Sequence, residues 1–176
     1  AQDAWAAAGR SRSVDCSMRE GKVEKVAEAT TQQLSLELWV DGRYSSHKTT
    51  DLRPEEVARF AREAVALTQF LEPDPHRQIP DPALFEGRAT VDLGIFDDGI
   101  AALSQADREA MCLAQNERLS GKPDVVSATS GTNDGRTDSA SVSSNGFQGS
   151  HRSTWMWLGS SLTMRDGEKL NEAGMW

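Results

Sequence analysis

Leu34-Ser35-Leu36-Glu37-Leu38-Trp39-Val40-Asp41-Gly42-Arg43-Tyr44-Ser45-Ser46-His47-Lys48-Thr49 reads as a strand, a two-residue turn and a return strand. Leu34, Leu36, Leu38 and Val40 recur with a period of two, which lines one face of a sheet with apolar side chains. Asp41-Gly42 suits a tight hairpin, because both central residues of such a turn take positive φ. Upstream, Val14, Cys16 and Met18 alternate with Asp15, Ser17 and Arg19, Glu20-Gly21 is a turn signal, and Val23 to Ala29 reads as extended. A three-strand meander therefore opens the fold, over about residues 11–52.

A helix follows the hairpin. Pro54 fits the first helical position, and Glu55 and Glu56 favour the positive end of the helix dipole. Val57, Phe60, Ala61, Ala64, Leu67, Thr68 and Leu71 fall at spacings of three and four and predict one continuous buried face. Arg59 and Glu63 are spaced for an i,i+4 pair, and Pro73 sets the end. From Glu72 to Gly99 four prolines punctuate the chain without a clear period. This stretch reads as an ordered crossover anchored by Ile79, Leu84, Phe85, Leu93, Ile95 and Phe96. A second helix starts at Ser104, with Asp107 placed for a capping box. Ala106, Ala110, Leu113 and Ala114 predict a narrow small-residue face, and Gly121 predicts the stop.

A second meander occupies about residues 122–170. Pro123 to Thr129 and Ser139 to Ser144 read as strands with a loop at Gly131 to Gly135. Asn145-Gly146 is a turn, Ser153 to Met164 a strand and Asp166-Gly167 a further turn. Gly21 and Gly42 stand 21 residues apart, as do Gly146 and Gly167. A pseudo-repeat explains this, and so does the ordinary length of two strands and their turns. The fold class expected is α+β: two β-meanders flanking a helix–crossover–helix segment, with the helices packed on a mixed or antiparallel sheet. The 176 residues fit a single domain, or two small lobes sharing a core.

Composition excludes several classes. A net charge of −8 gives no basic footprint for nucleic acid or an anionic membrane. No apolar run approaches the ~20 residues of a membrane helix. The opening residues Ala1–Gly9 have neither the basic start nor the apolar core of a signal peptide. Cys16 and Cys112 have no metal-ligand spacing and read as reduced core residues of a cytoplasmic protein.

Catalytic constellations are not evident. His47, His76 and His151 are not spaced as metal ligands on a helix, and the serines form no nucleophile elbow. His47 and His151 read as solvent-facing strand positions. Trp39, Tyr44, Trp155, Trp157 and Trp176 are the exposed aromatic candidates. Trp155 and Trp157 point to one side of a strand, opposite Met156, Leu158, Leu162 and Met164. They face either a partner or a second layer of this chain.

Several segments in order carry a resemblance to a known family. They are Gly21-Lys22-Val23-Glu24-Lys25-Val26, Leu38 to Gly42, and Ser45-Ser46-His47-Lys48-Thr49-Thr50-Asp51-Leu52-Arg53-Pro54-Glu55. Thr68 to Leu71, Glu72-Pro73-Asp74-Pro75, Pro80-Asp81-Pro82-Ala83-Leu84, Asn145-Gly146-Phe147-Gln148-Gly149-Ser150 and Arg152-Ser153 complete the series. Together, over about residues 11 to 167, they resemble the N-terminal domain of TldD/PmbA proteins, on the PmbA-like side. That family comprises zinc metallopeptidases and their metal-free partner subunits. The resemblance implies that zinc is held by a His-Glu-x-x-x-His helix of the active subunit, outside this chain, with no cofactor here. It implies a homodimer, or a heterodimer with a TldD-like subunit, and an unfolded peptide lying as an added strand in a shared cavity. The residues expected at an interface or along the peptide are Trp155, Trp157, Asn145, Phe147, His151 and Arg152. Leu34, Leu36 and Leu38 depart from the family's usually Gly-rich strand. The alternative is a standalone binding or adaptor module that keeps the fold without protease activity.

Overall fold

The computed structural model describes residues 1–88 and 91–175, so Trp176 lies outside the described residues. Six strands form one antiparallel sheet in the order β3-β2-β1-β4-β5-β6. They are β1 (Asp3–Arg19), β2 (Lys22–Val40), β3 (Arg43–Thr49), β4 (Val125–Ser143), β5 (Gln148–Asp166) and β6 (Lys169–Met175). Helices α1 (Pro54–Thr68), α2 (Asp98–Ala101) and α3 (Gln105–Leu119) lie between the two sets of strands, with a 3-10 turn at Pro82–Phe85. The chain forms the expected α+β class, mostly strand, with three helices. The sheet is longer-stranded than the periodicity suggests, because β1 begins at Asp3 and β2 runs unbroken for 19 residues.

The opening hairpin forms as the sequence dictates. Asp41 and Gly42 take φ of 50° and 73°, and β3 pairs with β2 from Leu34↔Thr49 to Val40↔Arg43. Glu20 and Gly21 make a matching turn at φ 49° and 72°. The later turns differ. A four-residue loop centred on Asn145-Gly146 joins β4 to β5. The two-residue turn before β6 is Gly167-Glu168, one position beyond the expected Asp166-Gly167, with Asp166 paired to Lys169. The two 21-residue glycine spacings thus share a strand length but not a turn geometry.

The chain forms two compact units, each drawn from three segments. The first comprises residues 1–11, 31–94 and 137–152. Its core is Leu36, Leu38, Val40 and Ala64, packed against Ala4, Ala6, Phe60, Ala61 and Val65. The α1 face is narrower than the spacing of three and four predicted. Leu67 and Leu71 are 58% and 46% exposed; Ala64 packs on the apolar face of β2, and the end of the helix lies against polar residues of β3. There the fully buried Thr68 meets Ser45 through their hydroxyls, and its hydroxyl also donates to the Ala64 carbonyl at 2.7 Å. His47 stands 2.9 Å from the Ser45 hydroxyl and edge-on to Phe60, so it is half-buried under α1 rather than solvent-facing. Arg59 pairs with Glu56 three positions back, not with Glu63.

On the other face of this unit the crossover docks. Asp74 donates its amide to the Gly42 carbonyl at 2.9 Å. Trp39, expected to be exposed, is buried at 8%. Its indole N–H donates to the Arg77 carbonyl at 3.1 Å, and its ring packs on Tyr44. Phe85 anchors the 3-10 turn against Trp5 and Phe147, while Leu84 and Leu93 remain exposed.

The second unit comprises residues 12–30, 95–136 and 153–176. Here α3 overturns the sequence expectation most clearly. Its capping box is present in both directions, Ser104 accepting from the Asp107 amide and Asp107 from the Ser104 amide. But Ala106, Ala110, Leu113 and Ala114 face outward, and the buried stripe is Arg108, Cys112 and Asn116. Polar partners on the sheet decide this rotation. Arg108 forks onto Asp134 at 2.6 and 2.7 Å, both residues at most 3% exposed, and donates to the Leu103 carbonyl at 2.8 Å. Asn116 accepts from the Gly21 amide and donates to the Ala128 carbonyl, each at 2.9 Å. Cys112 sits between, in one cluster with Cys16 and Met18. Burying Arg108 and Asn116 against partners that complete their hydrogen bonds costs less than burying small apolar residues and leaving Asp134 unpaired. Gly131 to Gly135, expected as a loop, is the middle of β4 for the same reason.

Candidate functional site

In the second unit, the sheet face away from α3 carries Asp15 and Ser17 on β1, Gly131 and Asn133 on β4, and Trp155 and Trp157 on β5. These residues line an open cavity of about 550 Å³. Alternation along each strand produces it. Cys16, Ser130, Thr132 and Asp134 turn toward α3 and are buried, so their odd-numbered neighbours point the other way. Glycine is required at position 135. A Cβ there would stand 2.8 Å from the Trp155 ring and 2.5 Å from the Arg12 carbonyl, so the indole packs directly on bare backbone. Gly131 keeps the floor low, with room for a Cβ at ordinary contact distance. Trp155 and Trp157 remain 39% and 55% exposed, a large apolar surface edged by Asp15, whose carboxylate accepts from the Asn133 amide at 3.1 Å and pairs with Lys25 at 3.3 Å. The opposite face of β5 is only half covered: Leu158 and Met164 are 44% and 38% exposed, and Leu162 lies with Gln115 and Leu119 of α3.

The other expected site residues lie in the first unit. Phe147 stacks on Trp5 with centroids 4.7 Å apart, and the Arg88 guanidinium lies over its ring. Asn145 donates its amide to the Pro80 carbonyl at 2.6 Å. Both therefore tie the β4–β5 loop to the crossover. His151 and Arg152 line a separate open groove with Arg10, Asp138 and Ser139. His151 is within hydrogen-bond reach of Ser139, and Arg152 pairs with Asp138 at 3.1 Å. The six residues thus fall into three pairs: an aromatic face, a loop anchor and a charged groove.

Sequence reading missed Asp15, Asn133, Gly131 in the cavity lining and Gly135 beneath Trp155. Small or polar residues at every second position from Thr129 to Gly135 were the available signal, hidden by reading that stretch as a loop.

Among the described residues no three His, Cys, Asp or Glu side chains converge as metal ligands. His47 and His151 each meet a serine, and the two thiols are buried without a third donor. The Cys16 thiol is pushed up to about 11 by burial, and burial raises Cys112 as well, which keeps both protonated and unreactive. No helix is long and apolar enough to cross a membrane.

Comparison with known proteins agrees with this fold. Residues 7–68 match the family described as PmbA/TldA metallopeptidase domain 1. Over 112 residues the chain is 27% identical to Metalloprotease PmbA of Escherichia coli O157:H7, a match covering 60% of this chain and 25% of that protein. A structure from Bacteroides thetaiotaomicron, described as a proposed modulator of DNA gyrase, superposes with a TM-score of 0.91 at 30% identity, covering 98% of this chain and 40% of that one. TldE from Thermococcus kodakarensis shares the fold, with a TM-score of 0.74 at 14% identity over 98% of this chain and 39% of its own. The chain belongs to the TldD/PmbA family. It spans about a quarter of the length of the curated relative it matches.

Proposed function

We propose that this chain is the N-terminal scaffold and substrate-cavity domain of a TldD/PmbA-type metallopeptidase system acting on unfolded peptides in the cytoplasm. In this reading hydrolysis is carried out by zinc bound outside this chain, and the chain works in a dimer with itself or with a TldD-like subunit. The observation that carries the reading is the open Trp155/Trp157 face, on a fold that matches a family structure over 98% of its length. Two indoles on one side of a strand supply contact area at low entropic cost, and glycine beside them lets an extended main chain approach the sheet. The two meanders, each with a 19-residue middle strand, are read as a duplicated unit.

The test is capture of a permanently unfolded protein, such as reduced and carboxymethylated casein, by the chain and by Trp157→Ala. Because Trp157 is more than half exposed, the substitution should weaken capture several-fold and leave the melting temperature within about 2 °C. Capture by the variant equal to that by the parent chain would sink the peptide role of this face. Sedimentation of both proteins tests the dimer. Loss of stability at unchanged oligomeric state would make Trp157 a packing residue instead.

A further inference from the structure

The cavity beside Trp155 and Trp157 has a charge character of its own. Its side chains share one side of the sheet. The Asn133 amide reaches from β4 to Asp15 on β1 at 3.1 Å, and Gly135, two residues on, lies against the Trp155 ring of β5. Strand alternation therefore sets Asp15, Asn133, Trp155 and Trp157 on the same face. Among the described residues that line the cavity, Asp15 alone is charged; the others offer indole, hydroxyl, amide, thiol, methyl or bare backbone. Lys25 meets Asp15 from β2 at 3.3 Å, but both side chains are open to water, at 58% and 37% exposure. An ion pair so exposed contributes little to stability, so another cation can take the place of Lys25. The two indoles are 39% and 55% exposed, and the electron-rich face of an indole attracts cations and disfavours anions. A carboxylate and two indoles thus act in the same direction.

We propose that this face selects cationic segments: a lysine or arginine side chain of an extended peptide lies along the indoles, and its charge displaces Lys25 to meet Asp15. This selectivity rests on the peptide reading of the Trp155/Trp157 face and names the substrate class within it, with Asp15 as the residue that sets the preference.

Calorimetric titration at low salt decides the matter. The probes are three short peptides of alternating serine and valine, capped at both ends, that differ only in a central lysine, acetyl-lysine or glutamate. Acetylation keeps the stem and removes the charge. The lysine peptide should bind about fivefold more tightly than the acetyl-lysine one, the glutamate peptide should bind most weakly, and the differences should shrink as salt is raised. Asp15→Asn keeps an acceptor for the Asn133 amide, and should cut the lysine preference to about twofold with an unchanged melting curve. Lys25→Gln removes the competing ammonium and should tighten the lysine peptide. Lys169→Gln makes the same change of charge on β6, three strands from β1, and should do nothing. Equal binding of all three peptides, with all three weakened by Trp157→Ala, would overturn the charge selectivity and leave the peptide reading standing. No binding of any peptide, or binding that Trp157→Ala does not weaken, would overturn both. A lysine preference that survives Asp15→Asn in full, or a Lys169→Gln effect equal to that of Lys25→Gln, would overturn the role of Asp15.

Discussion

Arg108 and Asp134 illustrate what a single pair can decide. Both are withdrawn from water, and their two parallel hydrogen bonds make each the condition for burying the other. Removing one partner strands a charge in the core. Asp134→Ala or Arg108→Met should therefore cost about 3–5 kcal/mol, whereas replacing both with apolar residues of similar volume should cost far less. Urea unfolding of the two single variants and the double variant checks this. The thiols make a second prediction at this scale. The raised Cys16 and Cys112 values favour the protonated form in the folded state. The contribution is complete below the ordinary thiol range and is lost as pH rises from there toward about 11, the unfolded chain ionising first. Stability should thus fall on the alkaline side, less so in Cys16→Ala relative to its own neutral-pH value. A thiol reagent at pH 8 should find two groups in denaturant and none quickly in the folded protein.

Elements were legible where local chemistry and tertiary demand agree. Pro54, the acidic first turn and the apolar repeat placed α1, and Asp41-Gly42 placed the hairpin, because φ at a turn depends on the two residues that make it. Ser104 and Asp107 likewise marked the start of α3. Its rotation was not legible, since a polar stripe buries only if Asp134, Gly21 and Ala128 arrive opposite it, and no local pattern reports that. The same blindness turned the glycines of β4 into a loop and hid the groove they floor. The site residues were readable as candidates but not as groups: nothing in the spacing separates the loop anchor Asn145 from the groove residue His151, six positions on. Two element-scale predictions follow from caps and turns. Ser104→Ala removes one acceptor at the start of α3 and should cost about 1 kcal/mol. Gly42→Ala forces a Cβ into the left-handed region and should cost about 1–2 kcal/mol. Thermal melts of both variants measure these.

At the scale of the whole molecule, β1, β2, β4 and β5 each give one part to one unit and the remainder to the other. Neither unit is a continuous stretch of sequence. Residues 1–94 lack the β4 and β5 segments of the first unit, and residues 95–176 lack the β1 and β2 segments of the second. Each piece made alone should therefore fail to give a cooperative melt, and mixing the two should be needed to recover one. Circular dichroism of the separate and combined pieces measures this.

The pairing of β2 has a consequence for solubility. β3 covers this strand only from Leu34 to Val40, so its first dozen residues have β1 on one side and no strand on the other among the described residues. An uncovered strand of that length is a template for sheet growth between molecules, the first step toward fibres. Lys22, Glu24, Lys25 and Glu28 punctuate it, and ion pairs with Arg19, Asp15 and Arg12 hold three of them across to β1. These charges act as gatekeepers: each stacked copy would have to bury them. Replacing Glu24 and Lys25 with valine would leave the fold's core untouched and turn a quiet border into a seed for precipitation.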